Sequence, residues 1–216
     1  YYSQVALDEN GSTYPGSTPG AQVVVRREPL GVILAICPWN FPLAIPLWKA
    51  APALAYGNAV IIKPASPAIA TAALLQECAE EALPAGVLGQ LVMSGAQAGE
   101  LLDDERIAAA SFTGSTEVGL SVAERLARRA APAQAEMGGQ NPAIVPADAD
   151  LEAAADAIVS GAMSVAGQKC TATRRVIVLE EVAETMDRLL AERIEALVVG
   201  DPDNDGVTVG PLISSD

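Results

Sequence analysis

The segment Leu30–Ile36 is the strongest constraint on the fold. Its residues are apolar almost without interruption, as expected for a strand buried on both faces. A rhythm follows it. Ala59–Lys63, Gln90–Met93 and Ile107–Phe112 read as strands, while Leu47–Tyr56, Ala68–Ala82, Ala98–Leu102 and Thr116–Arg129 read as helices. Buried strands alternating with helices predict a parallel sheet covered on both faces. Ligands of such sheets sit at the carboxyl ends of the strands.

Two regions flank this rhythm. Gly11–Gly20 is rich in Gly, Ser, Thr and Pro and reads as turns, and Gln22–Arg26 alternates weakly like a strand. Beyond Glu136 the pattern resets. Met137–Gly139 reads as a turn, Asn141–Val145 as a strand and Leu151–Val165 as a helix broken by Gly167–Cys170. Arg175–Leu179 is then a strand and Val182–Val198 a helix. The expected fold class is α/β: a parallel Rossmann-like sheet and part of a second α/β domain. The expected divisions are 1–28, 29–137 and 138–216.

Composition narrows the function. The chain has 216 residues, with 13 basic against 27 acidic ones and a net charge of −14. Such a surface repels phosphate backbones, so no nucleic-acid partner is expected. The longest apolar run is far too short to cross a bilayer, so no membrane partner is expected either. Cys37, Cys78 and Cys170 are odd in number and lack Cys-x-x-Cys spacing, which suits reduced thiols in a cytoplasm. No histidine occurs, so the chain alone cannot build a Cys-His or Ser-His-Asp centre, nor a His-ligated zinc site. No metal is expected. Tyr1 is not a start residue, and an internal piece of a longer chain is expected.

Several residues can carry chemistry. Cys170 follows Gly167 at a helix exit, with small residues after it, and reads as a nucleophile or as an inert buried thiol. Glu136 reads as a general base at the end of an apolar strand, where burial would raise its pKa towards neutrality, or as a surface glutamate. Asn40, between Pro38 and Pro42, suits an oxyanion hole or simply satisfies a turn. Gly114, Ser115 and Gly119 open a helix after a strand, where free N–H groups can hold a phosphate or where Ser115 or Thr116 merely caps the helix. Lys63 ends a parallel strand, placed for ribose or phosphate unless it is only a solvated strand end.

At these residues the sequence resembles the aldehyde dehydrogenase superfamily. The motifs are Pro38-Trp39-Asn40-Phe41-Pro42, Lys63-Pro64-Ala65, Phe112-Thr113-Gly114-Ser115, Glu136-Met137-Gly138-Gly139 and Gly167-Gln168-Lys169-Cys170, in the family's order. The resemblance implies an enzyme that oxidises an aldehyde to its acid with NADP or NAD. Cys170 would attack the aldehyde, Asn40 and the Cys170 N–H would stabilise the oxyanion, and Glu136 would activate the hydrolytic water. Trp39, Lys63, Ser66, Gly114, Ser115, Gly119 and Met137 would line the cofactor site. Residues from about Gly11 to Glu28 resemble part of a subunit-pairing hairpin, implying a homo-oligomer, dimer or tetramer.

Two departures from the family matter. Ser66 stands where the family often has a Glu that repels a 2′-phosphate, so NADP is expected to be tolerated or preferred. The family's later Glu-x-Phe-Gly-Pro segment and a long N-terminal stretch are absent, so this chain is not expected to be active by itself. The stretch from Ile45-Pro46-Leu47-Trp48-Lys49 to Met137-Gly138-Gly139-Gln140-Asn141-Pro142 resembles semialdehyde-oxidising members such as 2-oxoglutarate semialdehyde dehydrogenases, which implies a semialdehyde substrate. A CoA-acylating relative and a non-catalytic structural relative are the alternatives. The first can dispense with Glu136, and the second has no need of Cys170, Glu136 and Asn40 together.

Overall fold

The computed structural model describes residues 1–7 and 11–215. The expected segment 1–28 includes residues 8–10, which lie outside the described residues. The chain divides into two compact units, Tyr1–Met137 and Gly138–Asp216.

The first unit opens with a short helix, α1 (Tyr2–Val5), and an antiparallel hairpin of β1 (Gly11–Pro15) and β2 (Gln22–Arg26). This corrects the turn reading of Gly11–Gly20. Gly11–Pro15 pairs from Gly11 with Arg26 to Pro15 with Gln22, and only residues 16–21 form the connection. Composition suggested turns; cross-strand pairing made a strand.

The remaining elements are β3 (Val32–Ile36), α2 (Ala44–Ala55), β4 (Ala59–Lys63), α3 (Ile69–Ala82), β5 (Leu88–Gln90), α4 (Gly95–Leu102), β6 (Ile107–Thr113), α5 (Thr116–Ala127) and β7 (Ala133–Glu136). They build a five-stranded, all-parallel sheet in the order β5-β4-β3-β6-β7. The apolar run of β3 divides by parity. Leu34 and Ile36 join Phe112, Val122 and Leu126 on one face, while Ile33, Ala35 and Cys37 join Ala50, Val60 and Ile62 on the other. Each fully buried Leu or Ile contributes about 1.5–3 kcal/mol by leaving water.

Of the boundaries that differ from expectation, three in the first unit have a local cause. Helix α2 starts at Ala44, because Pro46 falls in the first turn, where the missing N–H has no intrahelical partner to lose. Helix α4 starts at Gly95 under a capping box, with the Ser94 side chain accepting from the Gln97 N–H and the Gln97 side chain accepting from the Ser94 N–H. Strand β5 spans Leu88–Gln90, since pairing with Val60–Ile62 sets its register; Leu91 and Val92 run past it, exposed.

The second unit holds β8 (Pro142–Val145), α6 (Leu151–Met163), β9 (Arg175–Val178) and α7 (Glu180–Glu195). Strands β8 and β9 pair in parallel. Val145, Ala155, Ile158, Met186 and Leu189 form the core. Asp150 caps α6 by accepting from the Ala153 N–H at 3.1 Å. Arg193 on α7 ties to Glu152 and to Asp156 on α6. No hydrogen-bonded turn forms at Met137–Gly139; the chain there has no regular structure.

Candidate functional site

Strand order reverses at β3. The chain moves outward through β4 and β5, then returns to place β6 on the other side of β3. The crevice at the carboxyl ends of β3 and β6 is the ligand position that this topology creates. A cavity of about 500 Å³ lies there, lined among others by Cys37, Lys63, Phe112, Gly114, Ser115 and Arg125. Lys63, Gly114 and Ser115 are thus brought together.

Helix α5 opens onto this cavity. Ser115 caps it, its Oγ accepting from the Val118 N–H at 3.4 Å. Gly114 leaves room that no other residue would, since an added Cβ would lie 2.6 Å from the Phe112 ring. Gly119 is buried on the same helix, where a Cβ would lie 2.7 Å from Cγ and Sδ of Met137. The structure therefore places Gly119 and Met137 in packing contact. Ser66 is exposed, at the first position of the one-turn 3-10 helix Ser66–Ala68 that follows Lys63, and is not among the cavity residues. Trp39 and Asn40 are half-buried in the bend between β3 and α2.

Glu136 ends β7 opposite Thr113, and its carbonyl accepts from the Gly114 N–H at 3.1 Å. Its side chain is exposed, on a mostly exposed edge strand. The expected burial, and the apolar strand expected to supply it, are not found. β7 reads Ala-Gln-Ala-Glu and packs only one face against the sheet.

Sequence reasoning missed Lys49. It is buried on α2, with 8% of its surface exposed, and its ammonium donates to Ser111 Oγ at 2.8 Å and to the Phe112 carbonyl at 3.2 Å. Ser111 in turn donates to Gln134 Oε1. Burial pushes the Lys49 pKa down, with Cys37 and Glu136 pulling it back up. The only advance signal was a lysine amid an apolar helix pattern.

Cys37 is a buried residue of the cavity wall, and burial pushes its thiol up to about 12. Cys78 is exposed on α3. Cys170, in the second unit, is exposed. Helix α6 ends at Met163, earlier than expected, because Val165, Ala166 and Gly167 all take left-handed φ angles of 57°, 53° and 71°. Lys169 then donates to Ser164 Oγ. Residues Lys169–Ala172 close a turn through the Ala172 N–H to the Lys169 carbonyl at 3.3 Å, with Cys170 at its corner. Among the described residues, no group of His, Cys, Asp or Glu converges to hold a metal ion, and no helix is long and apolar enough to cross a membrane.

The first unit is thus a doubly wound α/β sheet with its cavity at the switch point, the class of fold that binds nucleotides. The second is an α/β unit presenting a cysteine on a pinned turn. The aldehyde dehydrogenase family matches residues 1–216, and this chain belongs to that family. It is 44% identical to the α-ketoglutaric semialdehyde dehydrogenase of Bacillus subtilis, covering 99% of this chain and 44% of that protein. An NADP-dependent enzyme of E. coli superposes with a TM-score of 0.94 at 36% identity, over 99% of this chain and 45% of that one. The betaine aldehyde dehydrogenase of Staphylococcus aureus in complex with NAD+ superposes with a TM-score of 0.94 at 30% identity, over 100% of this chain and 43% of that one. The chain spans less than half the length of these relatives.

Proposed function

We propose that this chain is the nucleophile-bearing part of an NAD(P)-dependent dehydrogenase that oxidises a semialdehyde to its acid. The observation that carries the reading is the family match over the whole chain, with Cys170 exposed on a turn and not packed in a core.

The residues at the switch point fit a dinucleotide. The N-terminus of α5 offers free N–H groups to a phosphate, Gly114 leaves space for close approach, and Lys63 supplies a cation. When bound, the nicotinamide supplies the hydride acceptor that turns the substrate adduct into a thioester. The chain's own groups do the rest. The Cys170 thiolate attacks the aldehyde carbon, and the Asn40 amide and the Cys170 N–H donate to the resulting oxyanion. Glu136 takes a proton from the water that attacks the thioester, releasing the acid and restoring the thiolate.

Ser66 supports use of NADP, since its hydroxyl accepts or donates to a 2′-phosphate that a carboxylate would repel. The Bacillus relative supports a semialdehyde substrate. The hairpin supports a homo-oligomer: Tyr14, Val23, Val24 and Val25 are exposed on a two-stranded sheet, a structure marginal by itself in water. The unpaired cysteines suit a cytoplasmic setting.

The test has two parts. NADP should bind this chain and quench Trp39 fluorescence, and Lys63→Ala should weaken that binding. In a polypeptide of the relatives' full length, a semialdehyde should drive reduction of the cofactor, and Cys170→Ala should abolish it. Turnover surviving Cys170→Ala, or a kcat/KM favouring NAD by about tenfold or more, a difference of about 1.4 kcal/mol, would overturn the nucleophile or the NADP preference respectively.

A further inference from the structure

Asn141 immediately precedes β8, and its hydrogen bonds go to the segment that carries Cys170. Its Nδ2 donates to the Cys170 carbonyl at 2.6 Å and to the Ala172 carbonyl at 2.9 Å. Its backbone carbonyl accepts from the N–H groups of Arg174 at 2.9 Å and Arg175 at 3.3 Å. One residue therefore stitches the whole stretch from Cys170 to Arg175.

The consequence for Cys170 follows from peptide geometry. A peptide unit is planar and trans, so fixing its carbonyl fixes its N–H. The peptide before Cys170 is held through the Lys169 carbonyl, which accepts from Ala172. The peptide after Cys170 is held through its own carbonyl by Asn141. With both planes fixed, φ and ψ of Cys170 are fixed, and so is the direction of its Cα–Cβ bond. The thiol keeps only its staggered χ1 choices. Ala172, 1% exposed, anchors the far end of the turn.

We propose that Asn141 is a positioning residue for the nucleophile: it fixes the peptide plane after Cys170 directly and the plane before it through its hold on Ala172, aiming both the thiol and the Cys170 N–H for attack on a carbonyl. This rests on the reading of Cys170 as the nucleophile. It explains why Asn141 commits both amide protons to one turn. A rate that depends on alignment at the reacting atoms is sensitive to such a clamp.

Two thiol reactions on the intact chain separate alignment from exposure. Acylation by p-nitrophenyl acetate forms a sulfur–carbon bond and expels p-nitrophenolate through an oxyanion, which needs the N–H in place. Alkylation by iodoacetamide displaces iodide and forms no oxyanion. Mass spectrometry assigns each product to Cys170, with exposed Cys78 as the internal reference. Asn141→Ala should slow acylation of Cys170 by about tenfold or more, while alkylation changes little. Asn141→Ser, which keeps one donor, should fall between, and it decides the matter if Asn141→Ala does not fold. Unchanged acylation, or equal loss in both reactions, would overturn the positioning role alone. Acylation of Cys170 no faster than that of Cys78 in the parent chain would overturn the nucleophile and this role with it.

Discussion

The ammonium of Lys49 lies 2.8 Å from the hydroxyl of Ser111, inside the sheet and helix layers of the first unit. No carboxylate neutralises it there by ion pairing among the described salt bridges. Its stability depends on the Ser111 hydroxyl and the Phe112 carbonyl. Ser111→Ala removes one of these acceptors and also the donor to Gln134. The variant should lose about 1–3 kcal/mol, the cost of leaving a buried polar group short of a partner. Urea unfolding reads this directly, and an unchanged midpoint would show that water replaces the hydroxyl.

Gly119 sits in mid-helix, where alanine would ordinarily gain about 1 kcal/mol. Here the added Cβ would meet Met137 at 2.7 Å and the Phe112 ring at 3.1 Å. Overpacking of this kind costs about 1–3 kcal/mol, so Gly119→Ala should lower the Tm. Met137→Ala in the same chain should restore part of the loss, because the two sites share one space. Additive effects of the two substitutions would show that they do not meet.

How much of this was readable in advance follows from the range of each signal. The strand–helix rhythm was legible because a parallel strand buried on both faces is an apolar run in the sequence itself. Lys63, Gly114 and Ser115 were legible because they follow strands, and strand ends are where such sheets bind. The hairpin strand Gly11–Pro15 was implied by the family resemblance but not legible in its composition, which reads as turns, since only pairing with Gln22–Arg26 makes a strand. Asn141 was hidden for a similar reason. Its partners are carbonyls 29 and 31 positions away, and a backbone carbonyl leaves no mark in a sequence. Glu136 was misjudged in burial because local composition says nothing about which strand lies at a sheet edge.

Helix α5 ends in a Schellman arrangement, with the Ala131 N–H bonded to the Leu126 carbonyl and the Ala130 N–H to the Ala127 carbonyl. The left-handed position is Ala130, at φ 54°, where glycine is the usual residue. A Cβ in that conformation costs about 1–2 kcal/mol, partly offset by glycine's greater freedom when unfolded. Ala130→Gly should therefore stabilise the chain by roughly 0.5–1 kcal/mol. Thermal unfolding should show a raised Tm, and a lowered one would mean that the unfolded-chain entropy dominates.

Cys37 and Lys49 give the first unit opposite responses to alkali. Burial lifts the Cys37 thiol from 9.0 to about 12, against the pull of Lys49 and Lys63. Between those values the unfolded chain releases this proton while the folded one keeps it, so the Cys37 contribution is present below pH 9 and lost as pH rises towards 12. Lys49 runs the other way. Its folded pKa lies below 10.5, so its burial penalty eases as pH climbs to that value. Cys37→Ala removes the first dependence and leaves the second. Compared with the parent by urea unfolding across alkaline pH, the variant should lose stability less steeply above pH 9. In the folded parent, iodoacetamide should modify Cys78 and Cys170 and spare Cys37 at pH 9. Parallel pH slopes together with rapid labelling of Cys37 would show that its thiol is not held in the protonated form.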